Sequence, residues 1–150
     1  MKTFYRIGLF LLCILSWVSV VHAKLNIVAS TPDLGSLASE IVKEKGEVIS
    51  IAKPTEDPHF VDAKPGFIVK LNKADMLIEG GLQLEIGWLP SLVLGARNQK
   101  ILPGNPGYFN ASAGIAIIDV PASANRAMGD IHPLGNPHYM LDPLNGKIVA

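Results

Sequence analysis

The sequence predicts an α/β lobe built on a four-stranded, mostly parallel sheet with helices on its faces. Apolar runs rich in β-branched residues at positions 25–30 and 47–52 enclose a segment whose apolar residues recur at helical spacing. A strand, a helix and a strand within about thirty residues form a βαβ unit, in which the strands run parallel and the crossover is right-handed. Further apolar runs at positions 75–79 and 115–120 are the third and fourth predicted strands.

The first helix is expected to begin at Thr31-Pro32-Asp33, where threonine can act as the N-cap and proline as the first helical residue. Apolar residues continue at helical spacing to position 42, and Gly46 is expected to end the segment. The strand that follows completes the βαβ unit.

Proline marks the later helices. Pro65 is expected to start a short helix over positions 66–72. Positions 85–96 are helical in composition, although Pro90 would bend or restart the helix there. Pro143 begins a last helical segment, in which the sequence ends without a capping residue. We therefore expect this sequence to be the N-terminal part of a longer protein.

The N-terminal segment has the three parts of a secretory signal peptide, which we place at residues 1–23. Two basic residues precede an apolar stretch at positions 7–21, and Val-His-Ala at positions 21–23 has the small-x-small pattern of a cleavage site. The apolar stretch is short for a membrane span, and a retained anchor is the alternative. The predicted mature lobe is residues 24–150, exported to the periplasm with no membrane insertion.

The single cysteine bears on both anchoring and metal chemistry. Cys13 lies within the apolar stretch and lacks the Leu-small-small context of a lipoprotein signal, so we expect a soluble exported protein. Cleavage after Ala23 would leave no thiol, which excludes disulfides and thiolate metal sites from the mature chain. Any transition-metal site must then use imidazole and carboxylate, which suit zinc and manganese.

The charge balance gives no indication of a nucleic-acid partner. The 150 residues include thirteen basic and thirteen acidic ones, and cleavage would remove Lys2 and Arg6 to leave eleven basic against thirteen acidic. A mature chain with a net charge of about −2 lacks the basic excess that binds phosphate backbones. Its length suffices for one domain with a substantial core.

Two histidines occupy the same local pattern in distant parts of the sequence. His59 in Asp57-Pro58-His59-Phe60 and His138 in Asn136-Pro137-His138-Tyr139 each follow an Asx-Pro pair and precede an aromatic residue. Proline restricts its own backbone and that of the preceding residue, so each imidazole is expected on a stiff loop beyond a strand. Either motif alone is typical of a turn with a surface histidine, whereas the repeated pattern favours a pair of metal ligands.

Neighbouring polar residues could support those ligands. A metal-binding imidazole is neutral, and its second ring nitrogen is commonly held by a carboxylate or a carbonyl, a role open to Asp57, Asn136 or Asp142. Asp142 is better placed to cap the helix that starts at Pro143. Glu56 and Asp62 either orient His59 and attract a cation or are solvated loop carboxylates.

A third histidine precedes the second motif. His132, in the stretch His-Pro-Leu-Gly, is either an auxiliary metal ligand or a turn histidine, and the residues that follow it favour the turn.

Together with KLNKADMLIEGGLQLE at positions 70–85 and Trp88-Leu89, the two histidine motifs resemble the N-terminal half of the zinc/manganese substrate-binding proteins of ABC transporters. The resemblance extends over nearly all of the mature chain. It implies a fold in which one long helix joins two α/β lobes and a divalent cation binds between them. It also implies that His59 and His138 are the ligands of the N-terminal lobe, that the cation is Zn(II) or alternatively Mn(II), and that a membrane permease receives it.

The sequence departs from that family in three respects. The connecting helix and the second lobe, which supply two further ligands in the family, have no counterpart, so weaker affinity is expected. Met140 stands where many relatives carry tryptophan, which should alter packing beside His138. The long histidine-rich loop of many zinc-specific relatives is absent, and only His132 lies in that stretch.

Three other functions stay open as alternatives. A zinc hydrolase would need a third protein ligand and a general base such as Glu56, and the sequence has no HExxH motif and no nucleophile elbow, so we expect no enzyme. A surface adhesin is the second alternative, since some relatives carry that label. The third is a truncated product that no longer transports a metal.

Overall fold

A computed structural model describes residues 23–123 and 131–150. Apart from Ala23, the predicted signal peptide lies outside the described residues. The strands are β1 (Leu25–Ala29), β2 (Gly46–Ser50), β3 (Met76–Glu79) and β4 (Tyr108–Asn110). The α-helices are α1 (Pro32–Val42), α2 (Pro65–Asn72), α3 (Leu89–Ala96) and α4 (Pro143–Val149), and single 3₁₀ turns cover Lys43–Lys45, Gln99–Ile101 and Tyr139–Leu141.

The four strands form one parallel sheet in the order β2-β1-β3-β4. Ile27 of β1 is in register with Val48 on one side and Met76 on the other, and Leu77 of β3 is in register with Tyr108. The predicted α/β class with a four-stranded parallel sheet is confirmed. Because the strands run in one direction, their carboxyl ends share one edge, which is where ligand-binding loops gather in such sheets.

The position of the fourth strand was predicted wrongly. The strand lies at Tyr108–Asn110, and residues 115–120 belong to no strand among the described residues. Asp119 has a φ of +56°, which interrupts the extended backbone that a strand there would need. The apolar run instead packs onto the core on one face of the sheet through buried Ile115 and partly buried Ile117, and it exposes Ile118.

Two helix boundaries also differ from expectation. Helix α1 ends at Val42 because Lys43 adopts a φ of +47°, and Gly46 begins β2 instead of ending the helix. Helix α3 begins at Leu89, since Pro90 has no N–H and fits only the first turn. At the start of α1, Thr31 occupies the N-cap position as predicted, but its side chain makes no capping hydrogen bond.

The core lies on both faces of the sheet. Val28 points to one face, and Ile27 and Ala29 to the other, because successive strand residues alternate. The first cluster is closed by α2 and α3 and includes Trp88, which is 3% exposed and was predicted to be core. The second is closed by α1 and includes Tyr139. Cover on both faces is what a fully parallel sheet requires.

None of the described helices is both long enough and apolar enough to cross a membrane.

Candidate metal centre

The candidate site is assembled from two loops that follow strands of the sheet. His59 lies in the loop after β2, and His132 and His138 lie in the long connection after β4. A groove bordered by His138 is also lined by Thr31, Ala52 and Gly80, which come shortly after β1, β2 and β3. The parallel sheet therefore brings distant parts of the sequence together at its carboxyl edge.

The three imidazoles of the described residues form one cluster. The ring centroids are 5.0 Å apart for His59 and His132, 5.2 Å for His59 and His138, and 5.9 Å for His132 and His138. The Nε2 atoms of His59 and His132 are 3.2 Å apart. One nitrogen from each ring lies within 4.8 Å of the other two, so a single cation could contact all three.

Asp57 fixes the loop that carries His59. Its Oδ1 accepts a hydrogen bond of 2.9 Å from the backbone N–H of His59 and contacts the ring Nδ1 at 2.8 Å. The backbone hydrogen bond, followed by the one from the ring, lowers the pKa of the Asp57 carboxyl below its ordinary value of 3.8. An ionised Asp57 holds the proton of His59 on Nδ1, so we assign the lone pair to Nε2, the atom that faces His132.

The second motif is braced in the same way. The Oδ1 of Asn136 accepts a hydrogen bond of 2.9 Å from the backbone N–H of His138, across the intervening Pro137. The Nδ2 of Asn136 donates to Asp119 at 3.1 Å. In both motifs the residue two before the histidine closes an Asx turn, which proline favours because it has no N–H of its own.

Both histidine loops are tied to one short segment between β3 and α3. The indole Nε1 of Trp88 donates to the carbonyl oxygen of Pro58 at 2.8 Å, next to His59. The hydroxyl of Tyr139 donates to the carbonyl oxygen of Gly80 at 2.7 Å, next to His138. Burial raises the pKa of that hydroxyl, which keeps its donor proton in place. The histidines thus share a common support in the core.

Glu85 holds that supporting segment in shape. Its carboxylate accepts hydrogen bonds from the Ser30 hydroxyl at 2.5 Å, from the Gly80 amide at 2.7 Å and from the Gly81 amide at 3.3 Å. The side chain is 3% exposed. Burial raises the pKa of the Glu85 carboxyl above its ordinary value of 4.5, and the hydrogen bond from Ser30 is the largest opposing influence.

Two of the other acidic residues considered from the sequence, Asp142 and Glu56, have local contacts. Asp142 caps α4, as the sequence indicated, because its Oδ1 accepts from the Leu144 amide at 2.9 Å. Its contact is therefore with a helix terminus and not with an imidazole. Glu56 accepts from the Lys53 amide at 3.1 Å within its own loop. Asp57 alone of these carboxylates contacts a clustered histidine directly in the described structure.

For His132 the sequence left an auxiliary ligand and a turn open and favoured the turn; the turn forms, and the imidazole also lies in the cluster. Two other features of the site were missed by sequence reasoning. The supports from Glu85 and Trp88 join residues far apart in the chain, and no local signal reports such contacts. Asp119 was placed in a strand, yet its side chain holds Asn136 beside His138.

The cluster borders an open cavity of about 820 Å³. Its wall includes Asp57, Asp119 and the apolar side chains of Phe60 and Ile86, which are 74% and 65% exposed. Two carboxylates beside the imidazoles favour a cation over an anion in this space.

The fold and the site define an α/β lobe with a cluster of three imidazoles at the carboxyl edge of its parallel sheet. Residues 27–150 match the family described as zinc-uptake complex component A, periplasmic (ZnuA). The chain belongs to that family. Its solved neighbours include the Mn-bound periplasmic metal binding protein of Candidatus Liberibacter asiaticus, at a TM-score of 0.64 and 20% identity over 85% of this chain and 42% of that one, which supports the fold.

Curated relatives belong to metal ABC transporters. The chain is 30% identical over 134 residues to a metal ABC transporter substrate-binding lipoprotein of Lactococcus lactis, covering 87% of this chain and 40% of the relative. It is 29% identical over 131 residues to the manganese ABC transporter substrate-binding lipoprotein scaA of Streptococcus gordonii, covering 85% and 39%. The chain therefore spans about two-fifths of the length of the curated relatives that it matches.

Proposed function

We propose that this chain is the N-terminal, cation-binding lobe of the substrate-binding component of a metal ABC transporter. The observation that carries the proposal is the convergence of His59 and His138 from separate loops to a ring-centroid distance of 5.2 Å. Family membership gives the class of protein, and the paired imidazoles support cation binding as its chemistry. In this proposal the cation is cargo, captured outside the membrane and passed to a permease.

The support around the two histidines suits reversible capture. Asx turns and hydrogen bonds to the core hold the rings in place before a cation arrives, so binding costs little ordering of the loops. The cluster borders an open cavity, through which a hydrated cation could enter and leave. Ionised Asp57 adds a negative charge beside the site and orients the His59 ring as a ligand.

We propose Zn(II) as the cargo, with Mn(II) as the alternative. Neutral imidazole nitrogens suit zinc, whereas manganese binds preferentially to oxygen ligands. The matched family is described by zinc uptake, and a curated relative is named for manganese. We rank Zn(II) before Mn(II) because the candidate donor atoms in this chain are imidazole nitrogens.

We also propose that residues 1–23 direct export and are removed, leaving residues 24–150 free in the periplasm. The pattern of the leader supports this, while the curated relatives are named as lipoproteins. Mass spectrometry of the exported protein tests it directly. An N-terminus at Lys24 without a lipid supports the proposal, and a lipid-modified N-terminus contradicts it.

A hydrolase is not proposed. His132 lies where a third ligand would be needed, but the general base suggested by the sequence, Glu56, is bonded within its own loop. The family is one of substrate-binding proteins. An adhesin function finds no support in the matched names and is not proposed either.

Calorimetric titration with ZnCl₂ tests the proposed function. The purified protein should bind one Zn(II), and His59→Ala and His138→Ala should each lower the affinity at least about tenfold, because each removes a metal ligand. Gln83→Ala is the matched control, since Gln83 lines the same cavity without belonging to the histidine cluster. Equal zinc binding by the wild type and both histidine variants would refute the proposal.

A further inference from the structure

The third histidine of the cluster lies outside both Asx-Pro-His motifs. His132 is nevertheless as close to His59 as His138 is, with ring-centroid distances of 5.0 Å and 5.2 Å. Its Nε2 faces the His59 Nε2 at 3.2 Å, on the side of the ring away from Asp57. The nitrogen that His59 has available for a metal therefore points at His132.

The turn that follows His132 explains its backbone and not its imidazole. The carbonyl oxygen of His132 accepts a hydrogen bond of 3.0 Å from the Gly135 amide, which closes the turn. That bond would form with any side chain at position 132. The imidazole itself lies against the other two rings, with centroid distances of 5.0 Å to His59 and 5.9 Å to His138.

The spacing of the three rings matches coordination of one tetrahedral cation. With metal–nitrogen bonds of 2.0–2.1 Å, two ligand nitrogens are about 3.4 Å apart and their ring centroids about 5.2 Å apart. The cluster shows 3.2 Å between two Nε2 atoms and 5.0, 5.2 and 5.9 Å between centroids. The centroid distances lie close to the tetrahedral value, and the three candidate ligand nitrogens all lie within 4.8 Å of one another.

We propose that His132 is a third protein ligand, so that this lobe by itself forms a three-imidazole site with a fourth position open to water. The proposal rests on the proposed function, because it adds to the same site. Three nitrogen donors suit Zn(II) and Co(II), while Mn(II) binds preferentially to oxygen. His132 is then the residue of this lobe that sets the preference among cations.

The residues around the histidine cluster are consistent with this ligand set. Asp57, a carboxylate beside the cluster, contacts His59 through Nδ1, so it supports a ligand and leaves coordination to nitrogen. Asp119 accepts a hydrogen bond from Asn136, which supports the loop of His138. The open cavity beside the rings provides space for the fourth ligand.

Titration of the purified protein with CoCl₂, followed by visible absorption, tests the ligand count. Four-coordinate Co(II) has far stronger d–d absorption than six-coordinate Co(II), so the wild type should show intense bands at one equivalent. His132→Ala should weaken Co(II) binding at least tenfold and lose most of this intensity. Gln83→Ala should match the wild type, and unchanged thermal unfolding of His132→Ala would show that the fold is intact.

Competition between ZnCl₂ and MnCl₂ tests the selectivity. Zinc should bind more tightly than manganese at almost any such site, so the informative quantity is the change in the Zn/Mn affinity ratio. Replacing a nitrogen donor with an oxygen donor in His132→Glu should lower that ratio at least tenfold. An unchanged ratio would overturn the role of His132 in selectivity.

The results separate this proposal from the proposed function. If His59→Ala and His138→Ala lose cation binding while His132→Ala keeps the affinity and spectrum of the wild type, the third-ligand proposal fails and the capture proposal stands. If all three variants bind like the wild type, both fail. Loss of binding and of the spectrum in each of the three variants supports both.

Discussion

The indole nitrogen of Trp88 donates a 2.8 Å hydrogen bond to the carbonyl oxygen of Pro58, the residue directly before His59. Trp88 belongs to the buried cluster on one face of the sheet, so this bond connects a candidate ligand loop to the core. On the opposite face, buried Tyr139 bonds to Gly80 and holds the loop of His138. The distance between the two histidines is therefore set by the packing of the sheet and not by the loops alone.

Removal of the indole donor should weaken cation binding. Trp88→Phe keeps an aromatic side chain but leaves the Pro58 carbonyl without its donor, and we expect a loss of about 1–3 kcal/mol in unfolding free energy. Zinc affinity should fall several-fold because the His59 loop loses its attachment. Leu92→Val is the control, since it trims the same core cluster and leaves the hydrogen bond from Trp88 to Pro58 in place. Equal zinc affinities for both variants at comparable stability would contradict the attachment.

The hydroxyl of Tyr139 has the corresponding role for His138. Tyr139→Phe removes the hydrogen bond to the Gly80 carbonyl, with an expected cost of about 1–2 kcal/mol in urea unfolding and a several-fold loss of zinc affinity. Tyr108→Phe removes a hydroxyl that bonds to Glu79, on a side chain outside the histidine cluster. That control should lose stability and keep its zinc affinity. A calorimetric titration in which Tyr139→Phe binds zinc like Tyr108→Phe would argue against this role.

Gly135 is required by the loop that carries His138. Its φ is +97°, and a Cβ at this position would overlap the Ile117 side chain and lie 2.8 Å from the Ile118 carbonyl oxygen. Gly135→Ala should therefore cost about 1–3 kcal/mol and displace Asn136 and His138, with loss of zinc affinity. The comparison is Gly104→Ala, where φ is +87° and a Cβ meets nothing within 4 Å. That variant should keep its affinity, and similar zinc binding by both would contradict the prediction.

Stability should depend on pH through the buried carboxylate of Glu85. Burial raises its pKa in the folded protein, so above the unfolded value of 4.5 the native state holds a proton that the unfolded state has lost. The contribution of Glu85 to the free energy of unfolding is thus fully present below pH 4.5. It declines as pH rises through the raised pKa, by at most about 1.4 kcal/mol per pH unit for one proton. Relative to Glu85→Gln, wild-type unfolding free energy should fall with rising pH, measured by urea titration.

Glu79 is a second buried carboxyl group that tests the assignment of the pH dependence to Glu85. Burial raises the pKa of its carboxyl, and the charge of Glu85 raises it further, while the hydrogen bond from Tyr108 opposes both. Glu79→Gln and Glu85→Gln should each remove part of the pH dependence, and the double variant should remove more than either. Asp57 has a lowered pKa and contributes in the opposite direction, with its stability lost in acid. Parallel curves for the wild type and the Glu85 variant would refute the prediction.

The sequence predicted the elements whose signals are local. The βαβ unit, the starts of α2 and α4 at proline and the cap by Asp142 follow from periodicity and from the chemistry of single residues. The fourth strand was misplaced because residues 115–120 are more apolar than Tyr108–Asn110. Tyr108–Asn110 forms the strand because it pairs with β3, whereas the positive φ of Asp119 interrupts an extended backbone in the apolar run.

Some residues of the candidate site could likewise be predicted from local sequence, and others could not. His59 and His138 could be found because the Asx-Pro-His pattern is local and repeated. The imidazole of His132 could not be placed, since its neighbours describe only the turn that its carbonyl closes. The contacts from Glu85 to Ser30 and from Trp88 to Pro58 depend on how the sheet packs, which no short stretch of sequence records.

The central claim is that the imidazoles converge on one cation, and X-ray absorption at the zinc K-edge of the zinc-loaded protein measures this most directly. We expect a single shell of nitrogen and oxygen neighbours at about 2.0–2.1 Å, with the outer-shell scattering of about three imidazole rings per zinc. His59→Ala should reduce the imidazole scattering by one ring or abolish binding. A zinc shell made of oxygen alone, without imidazole scattering, would contradict the account.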